Sequence, residues 1–303
     1  MSGLPVIFFN NLVPLFLVAG AGLLFGRLFQ PDIKTVSRLA FYIFTPCLVF
    51  NSLTENKLPA DQFWSMAGFA VATVVTLGVV AALLGRLLRL DGRTLSGLIT
   101  VTMFGNGGNY GLPLVLFAFG EAALSRAVVY YICNSVLVYT VGVFVASSGN
   151  TSPRQAILGP LKVPAMYGMI LAVALNLLGW QLPLALSRPV DLLSQAAIPA
   201  MLLVLGLQLA RIRQPERLGL VTGASVFQLL AGPIIGLAYS AAFGLTGPSR
   251  QAAVVEAAMP TAVITTILAV EYDIDPTFVT GVVLVTTLLS PLTITPLIAW
   301  LAG

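Results

Sequence analysis

The sequence contains no histidine, and only 9% of its 303 residues are charged. Without histidine there is no HExxH metalloprotease motif, no histidine general base and no histidine metal ligand. The two cysteines, Cys47 and Cys133, lie inside apolar runs and have neither disulfide nor metal-site spacing. No aspartate lies deep in an apolar run, which argues against an intramembrane aspartyl protease. The sequence therefore predicts a protein that is not an enzyme and holds no resident cofactor.

Hydrophobic residues make up 58% of the chain, and its mean hydropathy is +0.97. Because a soluble domain has about 25% charged residues, this composition predicts an all-α polytopic membrane protein. An apolar run of about 20 residues spans a bilayer as a helix. Ten such spans are predicted, at 4–29, 36–53, 62–85, 95–120, 124–147, 157–179, 189–210, 217–245, 249–271 and 276–301.

Basic residues are distributed unequally between the two sides of this predicted topology. The side reached after the odd-numbered spans carries Arg27, Lys34, Arg38, Arg86, Arg89, Arg93, Arg154, Lys162, Arg211, Arg213 and Arg217. The other side carries Lys57, Arg126, Arg188 and Arg250. Since basic loops stay in the cytoplasm, both termini are expected on the outer side of the membrane. The net charge of +4 is explained by these loops, and no nucleic-acid partner is expected.

Three features of the first half of the chain recur in the second half at offsets of 150, 153 and 155 residues. They are Val13-Pro14 with Val163-Pro164, Pro46 with Pro199, and Gly105-Asn106 with Pro260-Thr261. These matches predict two five-span repeats, residues 1–150 and 151–303. Because five is an odd number, the second repeat enters the membrane inverted, an architecture common among secondary transporters.

The fourth span is interrupted at its centre by Phe104 to Pro113, which reads Phe-Gly-Asn-Gly-Gly-Asn-Tyr-Gly-Leu-Pro. Glycine and proline loosen or break helices, and backbone freed at membrane depth must be satisfied by protein or a polar cavity. A helix restarting near Asn106 would present free N–H groups and a positive dipole end to an anion. The amides of Asn106 and Asn109 can donate to a carboxylate or accept from a cation. Alternatively, Gly107 and Gly111 form a GxxxG packing pair.

The ninth span carries a second break at Met259-Pro260-Thr261, where the proline leaves a carbonyl free one turn earlier. We predict that the two breaks cross, with Gly105, Asn106, Gly107, Gly108 and Pro260 at the crossover. Glu256 is the only ionisable residue well inside a span, roughly 10 Å deep at 1.5 Å per residue. An intramembrane carboxylate is a functional hypothesis by default. Glu256 could bind Na⁺, carry a proton, or be a structural group bonded to neighbouring Ser, Thr or Asn.

Isolated polar residues in other spans are usually helix-to-helix hydrogen bonds. Those in this sequence include Asn134, Ser135, Gln208, Gln228 and Thr265, and Asn134 ranks first because its span directly follows the broken fourth span. The predicted substrate contacts are Gly105, Asn106, Asn109, Asn134, Pro260, Thr261 and Thr265. The predicted cation contacts are Glu256, Asn106 and Met259.

The ten spans, the repeat and the two broken motifs resemble the auxin efflux carrier family in its short bacterial form. The second motif continues from Met259-Pro260-Thr261-Ala262-Val263 into Leu268-Ala-Val-Glu271-Tyr272 and Asp275-Pro276. The resemblance covers nearly the whole chain and implies an NhaA-like fold in a bacterial inner membrane. It implies that spans 1, 2, 6 and 7 form a scaffold and that spans 3–5 and 8–10 form a transport domain that moves as an elevator. It further implies a homodimer and small organic anions as substrates, such as indole acetates in plants and malate or malonate in bacteria.

Two positions bear on how far the resemblance extends. Matched by motif, Asn106 is the asparagine that would bind the substrate carboxylate. Many family members carry asparagine four residues after the proline of the ninth span, where this chain has Ile264. Glu256-Ala-Ala-Met259 is more similar to the distant bile-acid sodium symporters, whose glutamate in the ninth span ligates Na⁺. This similarity favours cation coupling.

The predicted function is secondary active transport of a small organic anion, coupled to Na⁺ or H⁺. An uncoupled uniporter or channel remains an alternative. A sodium/proton antiporter of the same fold is disfavoured, because such proteins place acidic residues in the fifth span, where this chain has Asn134-Ser135.

Overall fold

The computed structural model describes residues 3–56, 58–147, 158, 160–212 and 217–302. Within these residues, secondary structure is helical apart from one isolated bridge. Seven of the described helices are long and apolar enough to cross a membrane: Leu4–Phe29, Ile33–Glu55, Ala60–Leu87, Glu121–Ala146, Leu184–Ala210, Leu218–Ala242 and Pro276–Ala302. The chain is therefore a multi-pass membrane protein.

We number twelve helices in chain order. They are α1 (Leu4–Phe29), α2 (Ile33–Glu55), α3 (Ala60–Leu87), α4 (Gly92–Met103), α5 (Leu112–Phe119), α6 (Glu121–Ala146), α7 (Pro164–Leu178), α8 (Leu184–Ala210), α9 (Leu218–Ala242), α10 (Gly247–Ala257), α11 (Ile264–Tyr272) and α12 (Pro276–Ala302). A π-helical turn, Gly107–Gly111, leads directly into α5.

Seven of the ten predicted spans correspond to these long helices. The sixth corresponds to α7, which has 15 residues, and the fourth and ninth are each divided into two short helices. The predicted repeat boundary at 150/151, the start of the sixth span at 157, and Lys57, Arg154 and Arg213 lie outside the described residues. The ten-span count and the inverted repeat remain predictions.

Local sequence explains where the divided segments begin and end. The Asp91 carboxylate accepts hydrogen bonds from the backbone N–H groups of Arg93 and Thr94, both at 3.1 Å, and so caps the start of α4. Pro248 lies in the first turn of α10, where a missing N–H costs no helical bond. Pro113 follows the glycine-rich π turn, in the second turn of that continuous helical segment. Proline and glycine residues therefore favour the observed divisions.

The helices associate in two groups. In the first helix group, α1 packs on α8, and α2 packs on α7 and α8. In the second helix group, α3 packs on α4 and α6, while α9 packs on α10 and α12. The second group also contains the π turn, α5 and α11, because α5 and α10 pack on α6 and α11 packs on α12. The two groups meet mainly where α8 contacts the π turn, where α1 contacts α5 and α12, and where α2 contacts α6.

Glycines allow the closest helix approaches in the first helix group. A Cβ atom at Gly206 of α8 would overlap the backbone carbonyl of Ala19 in α1, and one at Gly22 would overlap that of Leu203. A Cβ at Gly168 of α7 would likewise overlap the carbonyl of Pro46 in α2. The backbones of these helices are thus in direct contact, which fixes α1, α2, α7 and α8 against one another.

Ion pairs tie helix ends together at one end of the second helix group. Arg93 at the start of α4 pairs with Asp273 just after α11, and Arg217 pairs with Asp275 at 2.9 Å before α12. Asp275 also accepts a hydrogen bond from the Thr94 hydroxyl at 2.9 Å. These contacts therefore link the start of α4, the start of α9, the end of α11 and the start of α12 on the same side of the molecule.

Gly206→Ala should destabilise the protein because the added methyl group must separate α1 from α8. We expect a loss of about 1–3 kcal/mol, the usual cost of overpacking, seen as a lower melting temperature of the purified protein. Gly223→Ala in α9 is the matched control, since nothing lies within 4 Å of a Cβ there, and it should be neutral or stabilising. Equal melting temperatures for the two variants would contradict the close α1–α8 contact.

Candidate functional site

The two divided segments meet in a short antiparallel pairing, which we call the crossing (Phe104–Gly107 with Met259–Ala262). Gly105 and Thr261 form a β-bridge. The backbone N–H of Asn106 donates to the Pro260 carbonyl at 2.7 Å, and the N–H of Ala262 donates to the Phe104 carbonyl at 2.8 Å. Backbone groups that each break frees from its own helix are thus satisfied by the other break.

The Thr261 side chain fixes the crossing to helices on both sides. Its hydroxyl donates to the Val101 carbonyl of α4 at 2.9 Å, and its backbone N–H donates to the Thr286 hydroxyl of α12 at 3.2 Å. Thr261, Thr286 and Pro260 are all buried. The crossing is consequently a fixed element of the second helix group.

Four helix ends point their partial charges at the crossing. The helices α4 and α10 end there, at Met103 and Ala257, and bring partial negative charge. The π turn before α5 starts there at Gly107, and α11 starts at Ile264, and both bring partial positive charge. The arrangement can therefore stabilise an anion and a cation side by side.

Three amide side chains have a fully buried polar atom without a hydrogen-bond partner among the described residues. Asn134 donates to the Gly105 carbonyl at 3.3 Å, and Gln228 donates to the Met259 carbonyl at 2.7 Å. These bonds leave Asn134 Oδ1 and Gln228 Oε1 without partners, and Asn106 Nδ2 is also unpaired. Since a buried unpaired polar group is costly, these atoms mark the crossing as a place for a polar ligand.

Glu256 lies at the end of α10 with only 1% of its surface exposed. Neither of its carboxyl oxygens has a hydrogen-bond partner among the described residues. A bond to a neighbouring Ser, Thr or Asn, the structural alternative considered from the sequence, is not present there. An unpartnered carboxyl group in the interior is expensive unless a proton or a cation accompanies it.

Glycines of the π turn make room for the Glu256 carboxyl group. A Cβ at Gly111 would lie 2.6 Å from Oε1, and one at Gly107 would overlap Oε2. Gly107 and Gly111 do form a close packing face, as their GxxxG spacing suggests, but the group packed there is a carboxyl group. Gly108 faces the ring of Tyr131 instead, whose Cε2 atom would lie 2.7 Å from an added Cβ.

The residues at and next to the crossing offer oxygen atoms of the kinds that bind Na⁺. Hard cations prefer carboxylate, amide and carbonyl oxygens, and Glu256, Asn134 and Gln228 supply such oxygens without other partners. One carboxylate balances one monovalent charge. The described residues contain no cluster of three or more His, Cys, Asp or Glu.

The structure does not place all the sequence-predicted residues in one position. Met259 is at the crossing, but its carbonyl already accepts from Gln228. Thr265 donates to the Ala262 carbonyl at 2.7 Å, one turn away within its own segment. Asn109 lies in the π turn and donates to Gln208 of α8 at 3.5 Å, towards the first helix group.

Sequence reasoning ranked Gln228 among ordinary polar residues, although it contacts the crossing directly. A span-length apolar helix with one buried amide gives no signal of the direction in which that amide points. Its position depends on the rotation of α9, which packing against α10 and α12 determines. The absence of other amides in α9 was the only available signal.

Comparison with known proteins identifies what this amino-acid sequence is similar to. A family model described as "Membrane transport protein" matches residues 7–156 and 150–298. An uncharacterized transporter of Methanocaldococcus jannaschii is 27% identical over 280 residues, which cover 89% of this chain and 90% of that one.

Two further relatives have names that refer to a transported compound. A Rhizobium meliloti protein named "Putative malonate transporter" is 30% identical over 274 residues, 85% of this chain and 83% of that one. Auxin efflux carrier component 4 of Arabidopsis thaliana is 28% identical over 146 residues, 46% of this chain and 23% of that one. These relatives are transporters, in agreement with the prediction that the chain is not an enzyme.

Gly111→Ala should destabilise the protein by forcing the Glu256 carboxyl group out of its position. The same change in a Glu256→Ala background should cost much less, because the space is then free. A double-mutant cycle on the free energy of unfolding, obtained from thermal melts, would measure this coupling. We expect a coupling energy of about 0.5–3 kcal/mol, the usual range for residues in contact. Gly223→Ala in the same two backgrounds serves as the control and should be additive. Additive effects for Gly111→Ala as well would show that the two residues do not touch.

Proposed function

Since this chain belongs to the membrane transport protein family, which includes the auxin efflux carriers, we propose that it is a secondary active transporter of a small organic anion. The observation that carries this proposal is the buried, unpaired Nδ2 group of Asn106 at the crossing. Asn106 directly precedes the π turn that leads into α5. The N–H groups of its side-chain Nδ2 and the positive end of the helix dipole therefore both favour a carboxylate.

The substrate class that we propose is a small carboxylate, with malonate as the first compound to test. The name of the Rhizobium meliloti relative, which matches most of this chain, supports this choice. The site would be lined by three residues of the crossing, Gly105, Pro260 and Thr261. Asn134, which donates to the Gly105 carbonyl, would line it as well. The surroundings are buried and rich in neutral amide groups. They suit a dicarboxylate whose second carboxylate is balanced by a bound cation.

We propose that Glu256 couples anion binding to Na⁺ or H⁺. A carboxylate of Glu256 and a carboxylate of the substrate, both buried near the crossing, would repel each other. A cation bound at Glu256, together with Asn106 and the unpaired amide oxygens, removes that repulsion. Anion and cation would then favour each other's binding by the same factor, as linkage requires.

The two helix groups supply the parts for alternating access. We propose that α1, α2, α7 and α8 form a scaffold and that the second helix group carries the site across the membrane as an elevator. Close glycine contacts within the first group, and the buried hydrogen bonds of the crossing and of Thr261 within the second, support two internally fixed units. We further propose a homodimer in a bacterial inner membrane, with both termini outside.

Asn106→Ala should abolish binding of malonate without unfolding the protein. A ligand that binds only the folded state stabilises it by about 2.7 kcal/mol at 100 Kd, so wild type should gain thermal stability with malonate and the variant should not. Asn176→Ala is the matched control, since Asn176 bonds to the Leu53 carbonyl within the first helix group. Wild-type stabilisation in Asn106→Ala would remove Asn106 from the site.

Glu256→Gln should remove the dependence of malonate binding on Na⁺ or on pH. Glutamine is neutral at every pH and cannot release a proton or balance a bound cation. The measurement is the malonate Kd with and without Na⁺, and from about pH 7 to pH 9, where malonate itself stays a dianion, for the wild type and the variant. If the ion dependence of the variant equals that of the wild type, Glu256 does not carry the coupling ion.

A further inference from the structure

Polar contacts between the two helix groups are almost absent from the described residues. The side-chain hydrogen bonds and ion pairs described there join residues of the same group, with one exception. The exception is Asn109 in the π turn, whose Nδ2 donates to Gln208 Oε1 in α8 at 3.5 Å. Among the described residues, this bond is the one side-chain hydrogen bond whose formation depends on the relative position of the two groups.

The surface around this bond is apolar. Phe16 of α1 contacts the ring of Tyr110, the neighbour of Asn109, edge to face with 6.0 Å between ring centroids. The Tyr110 hydroxyl is hydrogen-bonded to Ser290 of α12 at 3.0 Å, within the second helix group. Apolar surfaces have no preferred hydrogen-bond register and can slide over each other. The Asn109–Gln208 bond is therefore the described side-chain hydrogen bond that depends on the register of the two groups.

The bond is also weak and near the site. Its length of 3.5 Å is well above the usual 2.9–3.0 Å for N–H···O bonds, and both partners are neutral and half-buried. Asn109 lies in the π turn, three residues after Asn106, which directly precedes that turn. A carboxylate accepts more strongly than an amide oxygen, so an anion that reached Asn109 would replace Gln208 as its acceptor.

We propose that Asn109 and Gln208 form a latch that holds the two helix groups in one register while no anion is bound. The substrate carboxylate opens the latch by taking the Asn109 hydrogen bond from Gln208, which couples loading to movement. The register part of this proposal stands on the structure alone. The opening part rests on the proposed function.

The register part is tested without ligand by the distance between spin labels on the two groups. Labels at Leu87 of α3 and Leu177 of α7, both highly exposed, are attached to cysteines in a background with Cys47→Ala and Cys133→Ala. For the otherwise unchanged protein we expect one dominant distance between the labels. In Gln208→Leu we expect a second distance to appear beside it. Gln251→Leu is the matched control, because Gln251 bonds to the Leu301 carbonyl within the second group, and it should retain one distance.

The opening part is tested by malonate binding. Gln208→Leu frees Asn109 from its competing acceptor, so malonate should bind about two- to tenfold more tightly, the range that one hydrogen bond commonly supplies. Asn109→Leu should weaken binding. Gln208→Glu keeps an acceptor in either protonation state, so it should retain one distance and weaken malonate binding, which tests the latch if Gln208→Leu fails to fold.

The outcomes separate this proposal from the proposed function. An unchanged distance distribution in Gln208→Leu, or a broadened one in Gln208→Glu, overturns the latch. Weakening of malonate binding in Gln208→Leu, to the extent seen in Asn109→Leu, makes Gln208 a substrate contact instead. If wild type does not bind malonate while Gln208→Leu gains a second distance, the register part holds and the proposed substrate is wrong.

Discussion

Two backbone hydrogen bonds at the crossing determine what the rest of the molecule can do. Asn106 donates to Pro260, and Ala262 donates to Phe104, across two helices that stop in mid-course. A break at membrane depth is tolerated only where its backbone groups find partners inside the protein. Because each break satisfies the other, four helix ends can converge on one place, and the polar side chains that gather there include a carboxyl group. Without this exchange, neither segment could be interrupted.

Glu256 and the π turn show how a costly group can be housed. The carboxyl group fits against the bare backbone of Gly107 and Gly111, and neither of its oxygens finds a partner in the described structure. Unpaired amide atoms of Asn106, Asn134 and Gln228 surround the same two breaks. Polar atoms that fold into the interior without partners have a desolvation cost, and a transported anion with its coupling ion would offset it. This is the physical basis of the proposed cotransport.

The sequence predicted some of this architecture because certain residues act locally. Glycine and proline break helices wherever they occur, so the interruptions near Gly105 and Pro260 could be located without any structure. The family was predicted from the residues around those breaks, and the match to the membrane transport protein family confirms it. A multi-pass membrane protein was predicted from composition, and the seven long apolar helices bear it out.

Other features could not be predicted because they depend on helix rotation and packing. Gln228 is the single amide of its span and Gln208 is one of two in its own, yet one contacts the crossing and the other faces the π turn from a different helix group. Spacing showed that Gly107 and Gly111 share a face, but it did not show that Glu256 fills the space beside them. Residues distant in sequence meet there, and only tertiary structure defines such contacts.

The central claim is that the crossing moves its ligand between two sides by alternating access. Counterflow in liposomes containing the purified protein tests this claim most directly. With unlabelled malonate inside and a trace of labelled malonate outside, an alternating-access carrier should accumulate label transiently above equilibrium, and the initial rate should saturate with external malonate. A flux that equilibrates the label without overshoot and rises linearly with concentration would identify a channel and contradict the account.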